Sequence, residues 1–182
     1  SQDHWLDSDM AAEMIFSRIL SEEHHIFSTT NWYYSTEFRV LYTQLIMGPL
    51  FRICSNWHVI RTITNLVFYG LMLASYYYFM KPLKVSRGLT VLRSCLLLLP
   101  FSETMMTHMQ MGNTYMSHVI LVLWFFGMYL RLCSGEYSTK RKVSLWIFYV
   151  LLAIVCGMSG VRYLLALQCP LVLTSFFYLL GG

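Results

Sequence analysis

Two aspartates near the start of the chain are the first side chains with an evident chemical use. Asp7 and Asp9 stand just before a stretch with the apolar periodicity of an amphipathic helix. A carboxylate without a structural duty can act as a general base or hold a divalent cation. Asp9 also fits the N-cap of that helix, where its side chain would accept a backbone N–H. Asp7 lies too early for capping, so the sequence favours Asp7 as the base.

Three further ionisable residues lie beside or within apolar segments, where such groups are costly and often functional. Arg162 is the only charge between Val143 and Gly182, and it fits either a snorkelling helix end or a phosphate clamp. His118 lies about one turn into an apolar segment, where its ring either forms a hydrogen bond with a neighbouring residue or binds a metal ion or a phosphate. Glu103 is either an ordinary acidic residue of a loop or a residue that contacts the substrate.

Glu37 and Arg39 follow an aromatic cluster, Asn31-Trp32-Tyr33-Tyr34, of the kind found at membrane interfaces. One interpretation is a solvated, mutually paired loop. The other is a pair of polar substrate contacts at the entrance to a site.

The composition places these residues in a membrane protein. Apolar residues make up 57% of the 182 positions and charged residues only 12%, whereas soluble domains carry about a quarter charged residues. The net charge of +4 comes mostly from two short basic clusters, without the aromatic interleaving of a nucleic-acid surface, so we expect membrane lipids and no nucleic acid as partners. None of the five cysteines forms a CxxC pair, which argues against a zinc or disulfide framework.

Apolar segments long enough to cross a bilayer recur along the second part of the chain. Strand-like alternation is missing from them, so helices are the only plausible spanning elements. The basic clusters 81–87 and 131–142 separate pairs of segments and are predicted to face the cytoplasm. We predict five spans, at residues 58–80, 88–106, 115–133, 143–159 and 163–180.

The first 57 residues are predicted to form an outer-face loop with two interfacial helices. Residues 10–27 carry apolar side chains at positions 11, 12, 15, 16, 19 and 20, with Glu13 assigned to another face. Residues 38–54 are broken by Pro49 and are too charged for a comfortable span. The predicted fold class is therefore all-α: a polytopic transmembrane bundle over 58–182, preceded by this loop. The polar start and apolar end of the chain lead us to expect a piece of a longer protein.

The stretch Asp7-Ser8-Asp9-Met10-Ala11-Ala12-Glu13-Met14 resembles the opening of the first outer loop in GT-C glycosyltransferases. Protein O-mannosyltransferases and the lipid A aminoarabinose transferase are similar examples. In that family the opening reads Asp-Glu, then Tyr-Ala-Glu-Ile/Met, and interfacial helices follow. The resemblance covers residues 5 to about 125 and includes an arginine near the start of the next span, here Arg61. The chain departs from the pattern at Ser8 and at 34–39, where a Lys-Pro-Pro-like element is replaced.

The resemblance implies an inverting transfer of a sugar from a polyprenyl-phosphate donor, at the outer face of a bacterial cytoplasmic membrane. Asp7 aligns with the catalytic position of the family, Asp9 and His118 would assist through a divalent metal ion or by orientation, and Arg162 would neutralise the departing lipid phosphate. The sugar and the acceptor stay open. The alternatives are a transporter or lipid carrier that uses the same charges as a substrate path, and a structural membrane subunit.

Overall fold

The computed structural model describes residues 8–34, 40–111, 113, 115–133, 137–159 and 163–181. Within these ranges the regular structure is entirely helical, which confirms the predicted all-α class. The helices are α1 (Ser8–Glu22), α2 (Gln44–Phe51), α3 (Trp57–Met80), α4 (Arg87–Leu98), α5 (Glu103–Met105), α6 (Met116–Cys133), α7 (Thr139–Met158) and α8 (Cys169–Gly181). Short π-helical segments adjoin α5 at Met106–Met111 and α8 at Leu164–Gln168.

Three helices are long and apolar enough to cross a membrane: Trp57–Leu83, Met116–Cys133 and Thr139–Met158. A fourth apolar stretch, Leu165–Phe177, is shorter. The start of α3 is fixed by Asn56, whose side chain accepts the backbone N–H groups of His58 and Val59 and so caps the helix. The length and apolar composition of these three helices indicate association with a membrane, in agreement with the composition of the chain.

The structure differs from the prediction of one continuous helix over 88–106. Helix α4 ends at Leu98, and Leu99 has extended backbone because it precedes Pro100, which disfavours the helical conformation at the residue before it. A new turn then begins at Ser102, whose hydroxyl accepts the N–H of Met105. At 1.5 Å per residue, the 12 residues of α4 extend about 18 Å, well short of a bilayer's hydrocarbon core.

Helices α3 and α6 pack side by side in the same direction and form the centre of the bundle. Phe68 and Met72 of α3 form a buried cluster with Met116 and Ile120 of α6. Further along, a Cβ atom at Gly127 would lie 2.7 Å from Cδ1 of Tyr78, so only glycine permits this approach.

Arg131 joins α3 and α6 near the C-terminal ends of both helices. Its guanidinium donates to the carbonyl oxygens of Gly127 and Tyr78 at 2.6 and 2.7 Å. It also lies 3.6 Å from the centroid of the Tyr78 ring. These hydrogen bonds and the ring contact offset the cost of burying a cation whose residue is only 8% exposed.

Helices α7 and α8 flank α6, and together the three bury a second apolar cluster that includes Phe125, Cys156 and Leu171. Phe125 meets Tyr149 edge-to-face, and Tyr129 shares a hydrogen bond with Ser175. Only residues 134–138 separate the end of α6 from the start of α7, so α7 runs opposite to α6. Helix α8 runs along α6, since Tyr163 stacks on His118 and Ser175 meets Tyr129. The starts of α3 and α6 and the end of α7 consequently lie at one end of the bundle, which we call the α3 start end.

The face of α1 that packs inside the protein is not the one formed by the apolar positions noted in the sequence. Its buried residues are Met10, Glu13, Met14, Ser17, Leu20 and Ser21. Of the six positions assigned to an apolar face, only Leu20 is buried, and Ile15 is 45% exposed. Glu13 lies off the predicted apolar face, as expected, but on the face that packs inside the protein. Its carboxylate points inward because partners from distant segments satisfy it there.

Candidate functional site

The carboxylate of Glu13 is the centre of a buried polar cluster. The hydroxyl of Tyr42 donates to Oε1 at 2.5 Å, and that of Thr43 donates to Oε2 at 3.3 Å. Nη1 of Arg61 lies 3.7 Å from Oε2, and the two side chains are 13% and 6% exposed for Arg61 and Glu13. A buried carboxylate requires such pairing, since removal from water is costly for an isolated charge.

Arg61 extends the cluster towards the turn before α6. Its Nε donates to the carbonyl oxygen of Met111 at 3.0 Å. The amide of Asn65 donates to the same oxygen at 3.3 Å, and the amide of Asn113 donates to Oδ1 of Asn65. Asn113 is fully buried with a φ of 56°, a left-handed conformation that asparagine tolerates better than most residues.

We call the set Glu13, Tyr42, Thr43, Arg61, Asn65 and Asn113 the Glu13 cluster. It joins α1, the segment before α2, the first turns of α3 and the turn before α6. The cluster was not predicted as a unit, because its members come from four separate segments of the chain and a carboxylate in an amphipathic helix is ordinarily assigned to the solvent side. One signal was available: Arg61 is a charge inside an otherwise apolar helix, and such a charge requires a partner.

The predicted residue His118 lies at the same end of the bundle. Its ring stacks on Tyr163, with centroids 4.4 Å apart and planes within 12°, and its Nδ1 lies 3.4 Å from the Ser117 hydroxyl. The backbone N–H of Val40 donates to the hydroxyl of Ser159 at 3.4 Å. The segment that enters α2 therefore contacts the end of α7, close in sequence to the stacked Tyr163.

Asp9 lies exposed in the first turn of α1. The helix begins at Ser8, so Asp9 is inside the helix and the N-cap interpretation is corrected. A carboxylate in this turn is favoured by the partial positive charge of the helix N-terminus. Glu103 is exposed at the start of α5. The remaining predicted site residues, Asp7, Glu37, Arg39 and Arg162, lie outside the described residues.

The described residues do not supply a metal site. No three or more of their His, Cys, Asp and Glu side chains are grouped closely enough to hold an ion. The recorded neighbours of the His118 ring include Tyr163, Tyr115 and Ser117, none of which is a usual divalent-metal ligand in this setting. The metal role of Asp9 and His118 therefore stays a prediction, and no chemical step below is assigned to a metal.

The residues after α1 fold back onto it. Phe16 of α1 contacts the rings of Trp32 and Tyr34, at centroid distances of 5.2 and 5.8 Å. Hydrogen bonds from Thr29 and then Asn31 lower the pKa of Glu23, so Glu23 stays ionised and anchors the loop. The predicted interfacial aromatic cluster is thus attached to α1.

The fold and the site define a helical, membrane-associated chain with a buried polar cluster where its first long apolar helix begins. Comparison with models of known protein families, with curated proteins and with solved structures finds no match to this chain. Its function must be inferred from its own residues.

Proposed function

We propose that the chain is a GT-C-type membrane glycosyltransferase that transfers a sugar from a polyprenyl-phosphate donor to a hydroxyl or amine acceptor. The observation that carries the proposal is the Glu13 cluster, which attaches α1 to the start of α3. Asp9 lies in the first turn of α1, and Asp7 directly precedes that helix in the sequence. The proposed catalytic acids thus adjoin an element that is held at the α3 start end.

The residue proposed to bind the donor phosphate, Arg162, adjoins in sequence a residue at the same end of the bundle. Tyr163, which stacks on His118, directly follows Arg162 in the sequence. Ser159, three residues before Arg162, contacts the backbone of Val40. A base next to α1 and a cation next to Tyr163 are what the proposed transfer requires.

In the proposed reaction Asp7 removes the proton from the acceptor hydroxyl or amine as that group attacks the anomeric carbon. The bond between this carbon and the phosphate oxygen breaks, with inversion at the carbon. The guanidinium of Arg162 stabilises the negative charge that develops on the departing lipid phosphate, and its planar fork suits a phosphate. Asp9 orients the acceptor, while Glu37, Arg39 and Glu103 are the proposed polar contacts to substrates.

The proposal includes a multi-pass position in a bacterial cytoplasmic membrane, with the site facing outward. Lys81 and Lys84 follow α3, and Lys140 lies in the first turn of α7. These cations belong to the end of the bundle opposite to the Glu13 cluster. Because positively charged loops favour the cytoplasmic side of a membrane, we place the Glu13 cluster at the outer face.

Cysteine labelling tests this orientation. In a variant without its native cysteines, a membrane-impermeant maleimide applied from outside should modify cysteine at positions 31 and 102, and not at 84 or 140. Wild-type residues at all four positions are solvent-exposed, so accessibility within the fold does not limit the reaction. Permeabilised cells, in which all four should react, are the control. Labelling at 84 in intact cells would reverse the orientation.

A transfer assay tests the function itself. Purified protein in nanodiscs, given a panel of polyprenyl-phosphate hexoses and aminopentoses, should release the lipid phosphate and glycosylate an acceptor in a membrane extract. Arg162→Lys keeps the charge but loses the fork, so donor affinity should fall about tenfold, as expected for a lost charge-assisted hydrogen bond. Arg52→Lys, at the exposed end of α2, is the matched control. Movement of lipid-linked sugar across liposomes without any transfer would support a carrier instead.

A further inference from the structure

A pocket lies apart from the Glu13 cluster, between the second half of α1 and the junction of α2 with α3. Its volume is about 120 Å³, and it is lined by Arg18, Ser21, Glu22, Phe51, Ser55 and Trp57. Sites for drug-sized ligands occupy about 300 Å³ or more, so this one suits a small polar group. Trp57 is the first residue of a membrane-length helix, and tryptophan at such a position lies at the level of the lipid head groups.

The walls of this pocket carry both signs of charge next to aromatic rings. Nε of Arg18 donates to Oε1 of Glu22 at 2.8 Å, and the two side chains are 52% and 63% exposed. The rings of Phe51 and Trp57 meet edge-to-face at 5.2 Å. The hydroxyl-bearing residues Ser21 and Ser55 complete the lining. A cation, an anion and an aromatic pair therefore surround one small space.

We infer that this pocket binds the head group of a zwitterionic phospholipid, a phosphate joined to an ammonium by a two-carbon link. Arg18 binds the phosphate through charge-assisted hydrogen bonds, helped by the serine hydroxyls. Glu22 pairs with the ammonium. An exposed pair such as Arg18–Glu22 contributes at most about 1 kcal/mol to stability. Replacing the contact between the two side chains by two contacts to the ligand therefore costs little free energy.

Two other ligands fit the same residues less well. A neutral sugar ring would stack flat on tryptophan, but the Arg18 guanidinium carbon already lies 5.7 Å from the centroid of the Trp57 ring. A purely anionic lipid would satisfy Arg18 and bring its phosphate close to the Glu22 carboxylate, which repels it. The zwitterion alone pairs with both charges. Bound there, it would hold α1 against the membrane surface beside the entry of α3, whether or not the protein transfers sugars.

Native mass spectrometry of the purified protein in detergent tests this inference, with phosphatidylethanolamine, phosphatidylglycerol and soluble phosphoethanolamine as probes. We expect phosphatidylethanolamine to bind best. Arg18→Gln and Glu22→Gln should each weaken that binding about tenfold, the scale for a lost hydrogen bond to a charged group. Both side chains are mostly exposed, so the variants should fold, which a melting curve verifies. Arg52→Gln removes an exposed positive charge outside the pocket and is the matched control.

Three results would overturn the inference. Equal loss in the control and pocket variants would mean a non-specific charge effect. Equal binding of phosphatidylglycerol and phosphatidylethanolamine in the wild type would exclude recognition of the ammonium. Binding of soluble phosphoethanolamine as tight as that of the lipid would assign the pocket to a soluble ligand.

Discussion

Asp7→Asn is expected to lower the rate of sugar transfer by a factor of about 100 or more, the scale of general acid–base catalysis. Asparagine keeps the size and hydrogen bonding of aspartate but cannot accept the proton. The loss should therefore fall on turnover, with donor binding and stability little changed.

Asp9→Asn is the matched comparison for Asp7→Asn. Asp9 is exposed in the first turn of α1, where loss of its charge removes a helix-dipole interaction of about 0.3–1 kcal/mol. A single-turnover transfer assay in nanodiscs, with a melting curve measured in parallel, separates the two variants. If Asp7→Asn transfers sugar at the wild-type rate and Asp9→Asn is inactive, then Asp9 is the general base and Asp7 is not. Normal transfer in both would remove the proposed mechanism.

The second large effect is expected from the buried pair of Glu13 and Arg61. Replacing either residue alone, as in Glu13→Leu or Arg61→Met, leaves an uncompensated charge at a site where the side chains are 6% and 13% exposed. The free energy of unfolding should fall by about 3–5 kcal/mol. The double replacement removes both charges and should recover much of that loss, because a buried ion pair and an apolar pair of similar volume are often close in stability.

Denaturant unfolding of the four proteins in detergent measures this coupling. Glu22→Leu is the control on the same helix: its side chain is 63% exposed, so the change should stay within about 0.5 kcal/mol. Strictly additive losses in the double variant would show that Glu13 and Arg61 do not act as a pair. Losses below about 1 kcal/mol in both single variants would show that the cluster does not hold α1 to α3.

The long apolar helices could be predicted from sequence because their cause is local. A membrane helix is defined by about 20 apolar residues in succession, and α3, α6 and α7 each meet that condition. The break between α4 and α5 was also visible, at Pro100 and the capping residue Ser102, but hydropathy alone joined the two segments. The existence of a helix at the start of the chain likewise followed from its own pattern, and α1 covers Ser8–Glu22.

The buried side of α1 could not be predicted, because it depends on residues far away in the sequence. Glu13 is buried since Tyr42 and Arg61, 29 and 48 positions further along, meet it there. A hydrophobic pattern in the sequence assigns every carboxylate to the surface. In the folded protein, a carboxylate can be buried where a partner lies close enough to offset the free-energy cost of its desolvation. The pocket between Arg18, Glu22 and Trp57 depends in the same way on the packing of α1 against the α2–α3 junction. Sequence alone determined the helical membrane class and nominated Asp7 and Arg162. Only the tertiary structure decided which charges are buried, paired or free to meet a ligand, because pairing depends on distance in space and not along the chain.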